Sequence, residues 1–206
     1  MRRVRTALLV LAAAISPAAA QSAAPSWFPV PKSAVYQTGD SWTDGGVIYR
    51  LYGVQSCLRG TIVTNAHGVK RDCGEASLAM LVALTRDLKP QCYQAAAVPE
   101  ARTVFVFCIA QPSSGAGAGS RIDLGTALIS IGYGFAALTP DGQPVHPPYF
   151  VAQLVAQRGH TGLWAFADLP EPNTIILRAL RADQSGAAPS QPSAPTASRA
   201  PAIAPP

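Results

Sequence analysis

Nowhere in the 206 residues does an apolar run reach the length needed to cross a bilayer. A spanning helix takes roughly 20 consecutive apolar residues, and Ala7 to Ile15 is too short. No paired Cys-x2–4-Cys opens a zinc site. The nearest arrangement, Cys57-x9-His67-x5-Cys73, matches no closed zinc pattern. No glycine-rich loop is placed to cradle a phosphate: "GAGAG" at 115–119 lacks a following Lys and a flanking strand and helix, so it reads as a linker. Internal repeats are absent as well. These gaps exclude a membrane span, a closed zinc module, a nucleotide-phosphate loop and a repeat architecture.

The beginning and end of the sequence have their own character. Arg2, Arg3 and Arg5 precede the short apolar run, and Ala18-Ala19-Ala20 follows it. This is the layout of a secretory signal peptide, residues 1–20, with cleavage expected after Ala20. Loss of the three arginines takes the formal charge from +5 to +2. The basic isoelectric point is therefore partly a property of the leader and is no nucleic-acid footprint. Residues 181–206 are rich in Pro, Ala and Ser and almost devoid of large apolar side chains. Such a segment buries too little surface to offset its ordering entropy and reads as a disordered tail or spacer. Residues 21–30 read as a flexible lead-in, leaving 31–180 as one domain with room for a core. The expected location is outside the cytoplasm, periplasmic or secreted, with no transmembrane segment after cleavage.

Four cysteines in an exported chain point to disulfides, with three possible connectivities. One has a geometric argument. If the chain turns as a hairpin about Glu100, Cys92 and Cys108 stand opposite each other. Opposed Cβ atoms lie about 4.5–5.5 Å apart, closer at non-hydrogen-bonded positions, and a disulfide takes about 3.8 Å. Cys57–Cys73 follows by elimination.

Between the termini, Val35–Gly39 and Val47–Val54 read as strands joined by the turn "TDGG", and 56–74 as a long loop. Leu78, Leu81, Val82, Thr85 and Leu88 recur at helical spacing after Glu75, and Pro90 stops that helix. The Cys92/Cys108 hairpin follows. A second helix begins at Asp123 and ends at Gly132–Gly134; a third spans Tyr149–Arg158. Strands gathered early and helices scattered late predict an α+β fold: a small five-stranded Greek-key barrel with about three helices outside it.

Within the second strand, "VIYRLYGV" sets Arg50 among apolar residues. A guanidinium there suits bidentate binding of an anion. Arg102 opens the apolar strand "TVFVFC", and Asp40 stands in "TGDS" at a strand end. Trp42, beside Asp40, and Tyr52 are candidate binding aromatics.

The motifs "TGDS", "VIYRLYGV", "CGEASLAMLVAL", "ARTVFVFC", "DLGTALISIGYGFA" and "GLWAF" stand in the order found in the staphylococcal nuclease (thermonuclease-like) family, which this chain resembles over roughly Val35 to Phe166. The resemblance implies a five-stranded OB-fold barrel with three helices. It implies that Arg50 and Arg102 match the phosphate-holding arginines and that Asp40 matches the first calcium aspartate. It also exposes departures. The second calcium aspartate is replaced by Gln55, and the general-base glutamate by Leu58. Glu100, beside Arg102, is placed to pair with it. Asp44, Asp72 and Glu75 are the carboxylates available to substitute.

Calcium takes six to eight oxygens and its affinity follows site charge, so Asp40 with Gln55 forms only a weak, partial metal site. A missing base removes about 10²–10⁴-fold in rate. The expected function is an exported module with a degenerate site, catalytically impaired, binding nucleic acid, another polyanion or an envelope protein. The alternatives are an active calcium-dependent nuclease and a non-catalytic nucleic-acid-binding module.

Overall fold

A computed structural model describes residues 26–113 and 118–184. The leader, most of the lead-in and residues 185–206 of the tail lie outside the described residues.

The strands are β1 (Phe28–Pro29), β2 (Val35–Thr38), β3 (Ser41–Asp44), β4 (Val47–Leu51), β5 (Val54–Gln55), β6 (Ile62–Thr64), β7 (Lys70–Asp72), β8 (Gln91–Val98), β9 (Thr103–Ala110), β10 (Ile122–Asp123) and β11 (Phe135–Ala136). The helices are α1 (Cys73–Leu88), α2 (Leu124–Ser130), α3 (Pro147–Arg158) and α4 (Pro172–Gln184). The principal sheet has seven strands in the order β1-β8-β9-β4-β3-β2, with β10 beside β9, and it curls into half a barrel. β4 and β9 run parallel; the other neighbours in this sheet are antiparallel. β5 pairs with β11, and β6 with β7.

The fold is thus mixed α+β, as the sequence predicts. The strand and helix numbers differ. Short strands β6 and β7 make a hairpin inside the stretch expected to be one loop. α4 is a fourth helix, and its last residues fall where the tail was expected to begin. Its start is held by side chains: Asn173 donates to the Ala136 carbonyl at 2.8 Å, and Glu171 accepts from the Thr174 N–H at 3.0 Å.

The β8–β9 hairpin shows why the cysteine argument works. Gln91↔Ile109, Cys92↔Cys108, Tyr93↔Phe107 and Gln94↔Val106 are direct pairs. A register shift after Gln94 then pairs Ala96 with Phe105. This bulge lets one extra residue in and bends the strand. Both expected disulfides, Cys92–Cys108 and Cys57–Cys73, are present. They indicate an oxidising, extracytoplasmic setting. Among the described residues no helix is long and apolar enough to cross a membrane.

α1 begins where Asp72 accepts hydrogen bonds from the N–H groups of Gly74 and Glu75, satisfying donors the helix itself leaves open. It ends at Lys89 in the left-handed region, followed by buried Pro90. The face it buries keeps Leu81 and Thr85 of the expected stripe, with Leu88 packed on the core, and adds small residues at its start. Gly74, Ser77, Leu81 and Thr85 are inside, while Val82 is exposed. The cause is a close crossing. A Cβ added to Gly39 would overlap the Ser77 Cβ. Small residues therefore set the helix against the β2–β3 turn, and the apolar side chains to either side take what space remains.

Trp42, Leu51, Val54, Leu81, Val106, Leu124, Leu128 and Ile129 form the main core, which encloses the Cys92–Cys108 bridge. Cys57, Cys73, Val63, Phe135 and Leu163 form a second cluster, with Trp164 packed on Phe135 at 5.1 Å. Gly132 lets the end of α2 meet the chain near Thr161; a side chain there would overlap the Thr161 carbonyl oxygen.

Candidate functional site

Asp40 lies in the turn between β2 and β3, and its backbone carbonyl accepts from the Leu51 N–H at the end of β4. That bond brings the turn alongside Arg50, which the register places between Ser41 on β3 and Phe105 on β9. The Asp40 side chain is almost wholly buried, whereas that of Arg50 is 37% exposed. Alternation along β4 and β9 puts Ile48, Arg50, Thr103 and Phe105 on one face.

The side chains close a ring. Arg50 Nε donates to Asp40 Oδ2 at 2.9 Å, and Arg50 Nη2 lies 2.8 Å from the same oxygen. Arg50 Nη2 also donates to Gln55 Oε1 at 2.8 Å. Gln55 Nε2 donates to the Ser56 carbonyl at 3.0 Å, and Ser56 Oγ donates back to Asp40 Oδ1 at 3.2 Å. The Thr38 hydroxyl gives Asp40 Oδ1 a further bond. A buried carboxylate needs partners of this kind, because a lone charge in the interior is costly.

Asp40, Arg50, Gln55 and Leu58 all border one cleft of about 520 Å³. These four expected site residues are therefore brought together. Arg102 is not among them. It sits at the end of the β8–β9 turn, exposed, with φ 48°. Its guanidinium reaches toward Gly46 in the β3–β4 turn: a Cβ added there would lie 3.1 Å from Arg102 Nη2. Among the described residues it has no ion pair with Glu100. The second arginine on the cleft is instead Arg59, held by Glu75 at 2.6 Å. Nothing in the strand pattern marks Arg59. The available signal is spacing: Arg59 and Glu75 each lie two residues after a member of the Cys57–Cys73 pair.

The aromatic candidates fare differently. Trp42 is fully buried and stacked on Tyr49 at 5.8 Å, which corrects its expected role as an accessible binding aromatic. Inward orientation on β3 puts it in the core. Tyr52 is half-buried and packs on Phe107 at 5.1 Å and Phe105 at 6.5 Å, outside the cleft lining.

The substitute carboxylates are engaged elsewhere. Asp44 accepts from Ser33 at 2.7 Å, Glu75 holds Arg59, and Asp72 caps α1 while accepting from the Gly60 N–H at 2.7 Å. Burial pushes the Asp72 carboxyl upward. The N–H groups of Gly60, Glu75 and Gly74 and the charge of Arg59 outweigh that effect and hold it below the usual 3.8. Among the described residues no cluster of three or more His, Cys, Asp or Glu side chains is placed to hold a metal ion.

No protein-family model matches the chain, and no curated protein matches it either.

Proposed function

We propose that the protein is an exported, divergent relative of the staphylococcal nucleases, an OB-type barrel whose site has become a binding or structural module without phosphodiesterase activity. The observation that carries this reading is the closed ring Asp40–Arg50–Gln55–Ser56. Both Asp40 oxygens and the Gln55 carbonyl oxygen already accept hydrogen bonds from within the protein. A cation added there would face the Arg50 guanidinium with one neutralised carboxylate and one amide. Calcium, which takes six to eight oxygens and depends on ligand charge, does not fit this donor set. Arg50 in turn is held by Asp40, so the group that would clamp a phosphate is largely neutralised. Leu58, at the position of the family's base, can neither accept nor deliver a proton.

Incubation of the protein with single-stranded and plasmid DNA, with calcium or with chelator, tests the reading. The expected outcome is no chelator-sensitive cleavage. Chelator-sensitive cleavage abolished by Arg50→Ala would overturn it and restore the calcium-dependent nuclease. Salt-sensitive DNA binding without cleavage would identify the nucleic-acid-binding alternative.

A further inference from the structure

The cleft at Arg50 is unlike a phosphodiester groove in both its walls and its charge. Ile48, Leu58, Val98, Ala101 and Phe105 supply apolar walls. Its volume, about 520 Å³, lies within the roughly 300–1,000 Å³ typical of small-molecule sites. The charges on it and at its rim cancel in pairs, Asp40 with Arg50 and Arg59 with Glu75. A polyanion gains little from a site of that balance, since its binding rests on many uncompensated cations.

One donor edge remains. A guanidinium offers five N–H groups. Arg50 commits Nε and Nη2 to Asp40 and Gln55, while Nη1 has no hydrogen-bond partner among the described residues. The side chain is partly exposed and borders the cleft. A charge-assisted hydrogen bond beside apolar walls is stronger than the same bond in open water. Resting on the reading of this site as non-catalytic, we infer that the cleft takes a single carboxylate carried on an apolar body, with the carboxylate at Arg50 Nη1 and the apolar part against Leu58 and Phe105. The free C-terminus of an apolar peptide and a fatty acid share this chemistry.

Calorimetric titration of the full chain separates the possibilities. The probes are acetyl-alanyl-leucyl-phenylalanine as the free acid, the same peptide as its amide, octanoate, and a single-stranded oligonucleotide. The expected result is that the acid binds at least tenfold more tightly than the amide. Octanoate binding without peptide binding would support the same site with a fatty acid as its source. Leu58→Glu, which adds a negative charge to the wall, is expected to weaken acid binding at least tenfold. Leu58→Gln, of matched shape, is expected to keep the preference for acid over amide. Thermal melts of both variants establish that they are folded.

Equal binding of acid and amide, no binding of either acid at millimolar concentration, or tighter binding of the oligonucleotide would each overturn the inference. DNA cleavage in the calcium assay would overturn the non-catalytic reading itself. Absence of cleavage together with equal acid and amide binding would overturn only the ligand assignment.

Discussion

Arg50 is a cation placed in an apolar strand, and its two nearest acceptors decide what it can do. Removing it strands the Asp40 carboxylate, which is nearly without solvent and would keep only its hydroxyl partners. Hydrogen bonds to charged groups are each worth about 1.5–3 kcal/mol, so Arg50→Met is expected to lower the urea-unfolding free energy by about 2–3 kcal/mol. The double variant Asp40→Asn with Arg50→Met should lose less than the two single changes added together, because they share one interaction. Additive losses would show that the pair is not coupled. An arginine amid Val, Ile, Tyr and Leu stands out in the sequence, and Asp40, Gln55 and Leu58, which the family resemblance sets beside it, border the same cleft. Arg59 was not marked, because it lies in an irregular loop and takes its place by pairing with Glu75 on α1. The path of Arg102 was hidden for a related reason. It occupies a left-handed turn position before the strand begins, which strand alternation does not describe.

α1 carries the same lesson one level up. Its start was visible from Glu75, and its stop from Pro90. Its buried face was visible in part: Leu81 and Thr85 are inside and Leu88 packs on the core, whereas the close approach of Gly39 and Ser77 at the first turns has no apolar signal and Val82 is exposed. The β8–β9 hairpin keeps the simple pairing about Glu100 from Gln91 to Gln94, and no residue type announces the bulge that follows. The cap at Asp72 offers a test at this scale. Asp72→Ala removes bonds to Gly74, Glu75 and Gly60, and cap losses cost about 0.5–2 kcal/mol. Because the folded state holds this carboxyl below its ordinary 3.8, its contribution is present above that pH. It is lost as the pH falls through the lower folded value. Urea titrations at pH 7 and pH 2.5 should therefore show a smaller acid-induced loss in Asp72→Asn than in the unaltered protein. An equal loss would place the effect on other carboxylates.

Across the whole molecule, the curled sheet supplies the cleft, the 55–59 segment closes one side of it, and the Cys57–Cys73 bridge ties that segment to the start of α1. Strand patterning and cysteine spacing predicted the α+β class and both bridges, while the extra short strands and α4 arise from tertiary contacts that local periodicity does not encode. The Cys57–Cys73 bridge has one more consequence. It encloses the β6–β7 hairpin, whose outer residues 66–71 are exposed, so the backbone there is topologically dispensable: continuity runs through sulfur as well as through peptide bonds. Limited trypsin cleavage after Lys70 or Arg71 should give a protein that migrates as one species on non-reducing electrophoresis and as two fragments once reduced. Separation without reductant would show that the bridge is not formed. A chain wired in this way can lengthen, shorten or be cut at that tip while the cleft keeps its wall.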